Sequence, residues 1–285
     1  MRIIKKIEEM QTVSNSLKQQ GKIIGFVPTM GFLHDGHLSL MKIIKPNCDE
    51  LVVSIFVNPT QFGPGEDFNK YPRDFSRDEE LCRTMGVDIL FYPSQDEVYV
   101  EPYLTFVEVN KLTETMCGIS RPGHFKGVTT IVCKLFNIVR PDIAIFGQKD
   151  YQQSLIIKQM VEDLNLDIRI IAGPIVREPD GLAMSSRNRY LSRQEHQDAL
   201  LIYQSLRMAG KMLTSNRSSV EEIRNQISEK IQMGSSIRID YIAIVDPETL
   251  EPLEKLQSHM LIALAVYVGK TRLIDNVLIE NSMKN

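Results

Sequence analysis

Two histidines, His34 and His37, stand three residues apart in the segment PTMGFLHDGH, which spans residues 28–37. An apolar run of strand length precedes the segment and a run of helical period follows it, so the histidines fall where a strand gives way to a helix. The first turn of a helix offers unpaired N–H groups and positive potential, which suit a phosphate. Each imidazole can also donate a hydrogen bond to a phosphoryl oxygen as its charge grows during transfer. We therefore predict phosphate chemistry here, with a solvated turn or a pair of metal ligands as alternatives.

Two further segments place polar side chains after predicted strands. Gln61, in FVNPTQF at residues 56–62, carries a hydrogen-bond donor and an acceptor without charge, which suits the hydroxyls of a small polar substrate. In GQKDYQQ, residues 147–153, Gly147 permits close approach to the backbone and Lys149 supplies a positive charge suited to polyphosphate. The alternatives are an ordinary turn with a surface glutamine, a solvated lysine, and Asp150 as a helix cap.

A fourth segment, REPDGLAMSSRN, spans residues 177–188. Its consecutive hydroxyls, Ser185 and Ser186, stand beside Arg187 on a glycine-containing loop, which suits binding of a triphosphate and of the leaving pyrophosphate. An interdomain linker is the alternative. Because ligands of parallel sheets bind beyond the carboxyl ends of the strands, we expect the first three segments to converge there, with the fourth at a hinge above them.

The elements that must position these residues follow a βαβ pattern up to about residue 175. Near-continuous apolar runs predict strands at residues 23–27, 51–57, 89–92, 143–146 and 168–172, and helical periods predict helices at 38–44, 75–85 and 151–164. Strands without polar alternation indicate a parallel sheet covered on both faces by helices. One more strand is predicted at 105–109, outside this alternation.

Beyond Gly173 and Pro174 the pattern changes. Helices predicted at 193–213 and 219–233 precede strands predicted at 239–245 and 260–268, which indicates a separate α+β unit. A chain of 285 residues is also long enough for roughly two domains of about 150 residues. We therefore predict domains at residues 1–175 and 176–285.

Composition and charge exclude several classes of function. Lys and Arg number 33 against 36 Asp and Glu, so no basic excess indicates nucleic-acid or anionic-membrane binding. The longest apolar run, residues 261–268, is far shorter than the ~20 residues of a membrane-spanning helix. The first residues lack the pattern of a secretory signal, and Cys48, Cys82, Cys117 and Cys133 form no CxxC pair. We expect a cytoplasmic protein with reduced thiols that binds neither nucleic acid nor membrane.

Together with RPGHFKGV at residues 121–128, the four segments in this order and spacing closely resemble the pantoate–β-alanine ligase family, the ATP-dependent pantothenate synthetases. The resemblance extends over nearly the whole chain. The HxGH and MSSR elements are also similar to the HIGH and KMSKS signatures of class I aminoacyl-tRNA synthetases and other adenylate-handling nucleotidyltransferases. The resemblance implies an α/β protein with a Rossmann-like parallel sheet in the N-terminal domain, a smaller and mobile α+β C-terminal lid domain, and a homodimer.

The resemblance also implies the reaction. ATP and (R)-pantoate give pantoyl adenylate and pyrophosphate, and β-alanine then displaces AMP to give pantothenate. ATP is thus a substrate, with Mg²⁺ held mainly by its phosphates and Asp78 as a candidate to support the ion through water. The direct protein ligands of Mg²⁺ stay unassigned. For the β-alanine amine, either a histidine acts as the base or the neutral amine is drawn from solution.

By position in the motifs, the resemblance assigns roles to individual residues. His37 is the catalytic residue, with His34 as its partner and Lys149 as a further catalytic charge. ATP would contact Met30, Gly31, His34, Gly36, His37, Gly147, Gln148, Lys149, Asp150, Val176, Met184, Ser185, Ser186 and Arg187. Gln61 and Gln153 would bind pantoate and β-alanine.

Two other functions stay open as alternatives. A nucleotidylyltransferase would stop at adenylyl or cytidylyl transfer to a phosphorylated acceptor, and that acceptor would need extra basic residues where Gln61 and Gln153 are neutral. A catalytically silent nucleotide-binding module would need fewer polarising groups than the two histidines, Lys149 and Arg187 provide.

Overall fold

The computed structural model describes residues 1–214 and 218–280, which form two compact units. The first unit comprises Met1–Thr113, Arg121–Gln148 and Gln153–Pro174. The second comprises Glu114–Ser120, Lys149–Gln152 and the chain from Ile175 onwards, so neither unit is continuous in sequence. None of the helices in the described ranges is long and apolar enough to cross a membrane.

The first unit is built on a parallel sheet of the strands β1 (Arg2–Ile4), β2 (Ile24–Thr29), β3 (Glu50–Ile55), β4 (Ile89–Phe91), β5 (Ile143–Gly147) and β6 (Arg169–Gly173). Their order is β1-β4-β3-β2-β5-β6, and each neighbouring pair is parallel. The chain places β3 on one side of β2 and β5 on the other, and such a change of direction is where open parallel sheets bind ligands. The five predicted strands and the predicted α/β class are confirmed, and β1 is an edge strand that the pattern does not predict.

The helices before residue 165 are α1 (Ile7–Gln19), α2 (Asp35–Ile44), α3 (Phe75–Thr84), α4 (Gln95–Val98), α5 (Cys117–Ser120), α6 (His124–Val139) and α7 (Tyr151–Asp163). Val27, Val53 and Ile145 from the central strands are buried in one cluster with Leu33 and Met41. This burial explains why the strands are continuously apolar. The helices predicted at 38–44, 75–85 and 151–164 are confirmed, and the first begins three residues early because His34 caps it.

Helix α6 is not predicted by the sequence pattern. It contains a run of β-branched residues, 128–132, which are weak helix formers. Most of its side chains are buried, so tertiary packing outweighs this local preference. The helix also lies very close to the segment that follows β3, because a Cβ added at Gly127 would be 2.3 Å from the carbonyl oxygen of Thr60.

The strand predicted at 105–109 is wrong, since these residues have no regular secondary structure. The N–H of Val107 donates to the Thr130 hydroxyl at 3.0 Å, and the Val107 carbonyl accepts from the Thr129 hydroxyl at 2.7 Å. Side chains of α6 thus take up the backbone groups that would otherwise pair with a neighbouring strand.

The second unit packs α8 (Arg193–Thr214) and α9 (Val220–Gln232) with an antiparallel sheet of β7 (Ile237–Val245), β8 (His259–Val268) and β9 (Thr271–Glu280). Its core joins Leu206 of α8 and Ile227 of α9 to Leu264 of β8. The predicted α+β character is confirmed, and β9 is a strand that the pattern does not predict. All four cysteines are free thiols, of which Cys82 and Cys117 are buried.

Candidate active site

The loop after β2 requires glycine at its first bend. Gly31 has a φ of +81°, and a Cβ there would lie 2.8 Å from the Ile55 side chain and 3.1 Å from a carboxylate oxygen of Asp78. The Gly31 N–H donates to the Thr29 hydroxyl, which itself donates to the carbonyl of Ser54 on β3. The start of the predicted phosphate loop is therefore fixed to the neighbouring strand.

Asp78 of α3 holds the middle of this loop. Its side chain is buried, and its two oxygens accept the N–H groups of Phe32 at 2.6 Å and Leu33 at 2.8 Å. Burial raises the pKa of this carboxyl, and the two hydrogen bonds lower it by less, so the pKa lies above its ordinary value. Sequence reasoning considered Asp78 only as a support for Mg²⁺, whereas here it positions the backbone between Gly31 and His34.

The two histidines form the cap of α2. His34 is the N-cap residue, and its Nδ1 accepts the N–H of Gly36 at 3.2 Å, while the Nδ1 of His37 accepts the N–H of His34 at 3.3 Å. The ring centroids are 4.1 Å apart. Because each Nδ1 accepts a hydrogen bond from a backbone N–H, the neutral rings carry their hydrogen on Nε2. Each neutral ring therefore keeps a donor on Nε2 at the N-terminus of a helix, a combination of groups that suits a phosphoryl group.

Asn58 organises the segment that follows β3. It is 1% exposed, and its amide group donates to the carbonyl of Gly127 at 3.0 Å and to the side-chain oxygen of Gln61 at 3.1 Å. Its own oxygen accepts from the hydroxyls of Tyr99 at 2.8 Å and Thr60 at 2.9 Å. Burial raises the pKa of Tyr99 to about 12, which keeps this hydroxyl a donor. The sequence pattern alone indicated an ordinary turn at Asn58. Its hydrogen-bond partners come from three separate stretches of chain, which a local pattern does not reveal.

Gln61 joins two of the predicted motifs. Its Nε2 donates to the sulfur of Met30 at 3.0 Å, so the segments after β2 and β3 meet as the sequence predicts. Gly147 ends β5 on the other side of β2, and its carbonyl accepts from the Ser154 hydroxyl at 3.2 Å. Gln148 opens the 3₁₀ turn after Gly147, and Gln153 lies partly buried in the first turn of α7. These residues all follow the three adjacent strands at the centre of the sheet.

The other predicted residues belong to the second unit. The carbonyl of Lys149 accepts from the side chain of Asn276 on β9 at 2.9 Å, and Asp150 completes the same 3₁₀ turn. The N–H of Met184 donates to the carbonyl of Val176 at 3.0 Å. Ser185 caps a 3₁₀ turn, Ser186–Tyr190, by accepting the N–H of Arg187, and Ser186 is buried.

Strand β9 binds both the turn that contains Lys149 and the loop of the fourth motif, residues 177–188. The guanidinium of Arg177 binds both oxygens of Asp275 at 2.6 and 3.0 Å and also donates to the carbonyl of Gly181. Asp275 is next to Asn276, which holds Lys149. Sequence reasoning missed Asp275 and Asn276, because β9 itself was not predicted. The sequence offers one weak signal, an adjacent Asp–Asn pair within an otherwise apolar run, and the structure shows that both side chains are buried.

One group of side chains in the second unit has ligand atoms suited to a metal ion. Glu178, Asp180 and His196 bring these atoms within 4.8 Å of one another. The groups also bind each other, since the Nε2 of His196 lies 2.7 Å from Asp180 and 3.9 Å from Glu178, and Asn188 donates to Glu178 at 2.6 Å. These contacts hold the loop of the fourth motif against α8.

Comparison with known proteins gives a consistent family. The family model described as pantoate-beta-alanine ligase matches residues 2–278. The pantothenate synthetase of Caldicellulosiruptor bescii is 54% identical over 280 residues, covering 98% of this chain and 99% of the relative. That of Heliobacterium modesticaldum is 55% identical over 280 residues, covering 98% of this chain and 100% of the relative.

Solved structures give the same result. The crystal structure of pantothenate synthetase from Thermus thermophilus is 42% identical with a TM-score of 0.92, and the match covers 99% of this chain and 100% of that one. The pantoate-beta-alanine ligase of Francisella tularensis, solved in complex with "Beta-gamma ATP" and β-alanine, is 39% identical with a TM-score of 0.81 and covers 98% and 97% of the two chains.

Proposed function

The chain belongs to the pantoate–β-alanine ligase family and joins pantoate to β-alanine in a reaction that consumes ATP, and we propose that it does so through a pantoyl adenylate. In the first step a carboxylate oxygen of pantoate attacks the α-phosphorus of ATP, the bond to the β-phosphate breaks, and pyrophosphate leaves. In the second step the amine of β-alanine attacks the activated carbonyl, and AMP leaves with the former carboxylate oxygen. The products are pantothenate, AMP and pyrophosphate.

The first step brings one anion to another, so the site must supply positive charge and hydrogen-bond donors. We assign His37 as the catalytic donor to the transferred phosphoryl group and His34 as its partner, both through Nε2. Met30, Gly31 and Gly36 of the same loop, with Gly147 and Gln148 after β5, line the nucleotide. Gln61 and Gln153 bind pantoate. One contact supports this assignment. The Nε2 of Gln61 donates to the sulfur of Met30 at 3.0 Å, so the loop assigned to pantoate contacts the loop that carries the histidines.

The second unit supplies the remaining groups of the proposal. Lys149 is a catalytic charge toward the polyphosphate, and Asp150, Val176 and Met184 complete the nucleotide contacts. Ser185, Ser186 and Arg187 bind the phosphates that leave as pyrophosphate. The anchoring of both segments on β9 by Asn276 and Arg177–Asp275 supports their acting as a pair.

ATP enters as its Mg²⁺ complex in this proposal. Mg²⁺ prefers oxygen ligands and keeps much of its water, so the phosphates suit it as principal ligands. Asp78 fits poorly as a direct ligand, since each of its oxygens already accepts a backbone N–H. The amine of β-alanine must lose its proton before it attacks. Either a histidine of the cap accepts that proton, or the enzyme binds the neutral form of β-alanine from solution.

The test is production of AMP and pyrophosphate from ATP and Mg²⁺, with pantoate and β-alanine supplied singly and together. We expect sustained AMP release only when both are present, with pantothenate formed in equal amount. An adenylylated acceptor that accumulates would favour a nucleotidylyltransferase instead. Absence of turnover under every combination would favour a nucleotide-binding module.

We further propose that the enzyme is a homodimer that works in the cytoplasm, where its four free thiols stay reduced. Val100, Leu104 and Phe106 lie close in sequence on the first unit and are 67%, 82% and 47% exposed. An exposed apolar patch is typical of a protein–protein contact, and we propose that these three side chains contribute to one that a second copy of the chain covers. Light scattering should give a dimer mass for the wild type and a monomer mass for Leu104→Glu, whereas Leu164→Glu, at another exposed leucine, should stay dimeric.

A further inference from the structure

The RPGH segment, residues 121–124, contacts the backbone of Gln61. The Nδ1 of His124 lies 2.8 Å from the carbonyl oxygen of Gln61, and Nη2 of Arg121 donates to the same oxygen at 3.3 Å. The Nη1 of Arg121 is 3.0 Å from Nε2 of His124. A neutral His124 with hydrogen on Nδ1 satisfies both of its contacts, because Nδ1 then donates to Gln61 and Nε2 accepts from Arg121.

Arg121 also binds Glu66, which lies in the loop that follows Gln61. Nε and Nη2 of Arg121 donate to the two oxygens of Glu66 at 2.7 and 2.6 Å, a paired arrangement that fixes orientation as well as distance. Burial raises the pKa of Glu66, but the hydrogen bonds and charge of Arg121 outweigh it, so the pKa lies below its ordinary value. The carboxylate therefore stays charged and keeps Arg121 in place near neutral pH.

The Arg121 guanidinium thus directs its donors to the protein. Four of its five N–H groups are accounted for by Glu66, Gln61 and His124, and the side chain is 14% exposed. A group engaged in this way acts on substrate through another residue. Gln61 is held at both ends, since Asn58 binds its side chain and the RPGH segment binds its carbonyl.

We propose that Arg121, with Glu66 and His124, is a positioning residue that sets the affinity for pantoate by fixing the backbone of Gln61. The proposal rests on the assignment of Gln61 to pantoate above. Without Arg121, the carbonyl of Gln61 loses one of its two donors and the Glu66 loop loses its tether. The glutamine side chain then samples several positions, and binding of a small ligand weakens while the histidine cap stays intact.

The experiment compares steady-state kinetics of wild type and Arg121→Ala. We expect KM for pantoate to rise by about 10- to 100-fold, the range for loss of a hydrogen bond to a charged group, and KM for ATP to change by less than about 3-fold, because the hydrogen bonds of the histidine cap do not involve Arg121. Arg83→Ala is the matched control, because it also removes an arginine that binds a glutamate, Glu79, in the same unit. That variant should keep both KM values.

Milder variants separate positioning from stability. Asn can place an amide donor near the position of Nδ1, so His124→Asn should keep more pantoate affinity than His124→Ala. Glu66→Gln should raise KM for pantoate less than Arg121→Ala, and the two effects should not add, because they act through one network. If Arg121→Ala does not fold, the His124 and Glu66 variants test the proposal instead, through the change in KM for pantoate relative to the change in KM for ATP.

Gln61→Ala separates the role of Gln61 from that of the residues that position it. If Gln61→Ala raises KM for pantoate and the Arg121, Glu66 and His124 variants do not, the positioning role is overturned and the assignment of Gln61 stands. Equal increases in KM for pantoate and ATP in Arg121→Ala would also overturn it, since they would indicate general damage to the unit. If Gln61→Ala itself leaves KM for pantoate unchanged, the assignment of Gln61 fails.

Discussion

The loops after β2 and β3 leave neighbouring strands of one sheet, yet they are positioned by different means. The loop after β2 is held largely by its own residues, since His34 binds Gly36 and His37 binds the N–H of His34. The loop after β3 is held by residues far along the chain. Its Asn58 binds Tyr99 and Gly127, and the carbonyl of Gln61 contacts Arg121 and His124.

This difference separates two kinds of functional motif. A cap at a helix N-terminus forms whenever its few residues are present, so its sequence pattern carries most of its geometry. A side chain positioned by distant partners has a pattern that looks like an ordinary turn. The residues of the polar loop after β3 can therefore be assigned only from the tertiary structure.

The largest effect is expected at the histidine cap. His37→Ala should lower the rate of adenylate formation by about 10²- to 10³-fold, as for loss of one charge-stabilising donor, while the fold persists. Pyrophosphate release in a single turnover measures this rate, and circular dichroism checks the fold. His259→Ala, at an exposed histidine of β8, is the control. A rate near that of the wild type in His37→Ala would remove this residue from the mechanism.

The loop after β3 should respond in affinity rather than in rate. Gln61→Ala removes donor and acceptor from the assigned pantoate site, so KM for pantoate should rise about 10- to 100-fold, as for loss of buried hydrogen bonds. KM for ATP should change far less. Gln159→Ala, whose glutamine binds only a neighbouring carboxylate on α7 among its described bonds, is the matched variant. Equal changes in both constants would contradict the division of labour between the two loops.

Asp78 is the residue from a distant part of the chain that binds the loop after β2. Its removal therefore tests whether that loop keeps its structure through its own residues. Asp78→Ala leaves the N–H groups of Phe32 and Leu33 without their acceptor, which should lower the free energy of unfolding by about 2–4 kcal/mol. Urea denaturation measures this loss, with Asp35→Ala, at the exposed first residue of α2, as a comparison. Loss of adenylate formation beyond the loss of folded protein would show that the cap depends on Asp78, whereas unchanged activity would mean that the cap forms by itself.

The smallest expected effect is on how the free energy of unfolding depends on pH, which should differ between the carboxyl groups that hold the two loops. The pKa of Glu66 is lowered from an ordinary value of 4.5, so its contribution to stability is present above that value and is lost as pH falls through the folded pKa. The pKa of Asp78 is raised from 3.8, so its contribution is present below that value and is lost as pH rises through the folded pKa.

Two amide variants test these opposite contributions of Glu66 and Asp78 to the pH dependence of stability. Glu66→Gln should make the free energy of unfolding less sensitive to acid than that of the wild type as pH falls below about 4.5, because the folded pKa of Glu66 lies below that value. Asp78→Asn should make the free energy of unfolding more sensitive to acid above about pH 3.8, because the wild-type carboxyl group gains stability there as pH falls. Urea denaturation at several pH values gives both slopes. Slopes that shift in the same direction would break the contrast between the two carboxyl groups.

Much of the fold follows from local pattern. The central strands and the helices at 35–44, 75–84 and 193–214 are evident from apolar runs and periods, because each element buries its apolar side against the same sheet or its partners. Helix α6 and the segment 105–109 are the instructive misses. The β-branched residues of α6 favour strand and become helical through burial, and Val107 gives its backbone bonds to Thr129 and Thr130 instead of to a strand.

The sequence by itself determined most of the element types, the position of the two histidines between a strand and a helix, and the family resemblance, because apolar periods and short motifs connect residues only a few positions apart. The tertiary structure decided which side chains hold the candidate site in place. Phe32 meets Asp78 across 46 positions, Gln61 meets His124 across 63, and Lys149 meets Asn276 across 127. Such pairs depend on where the sheet and helices bring distant segments together, and no local pattern records that.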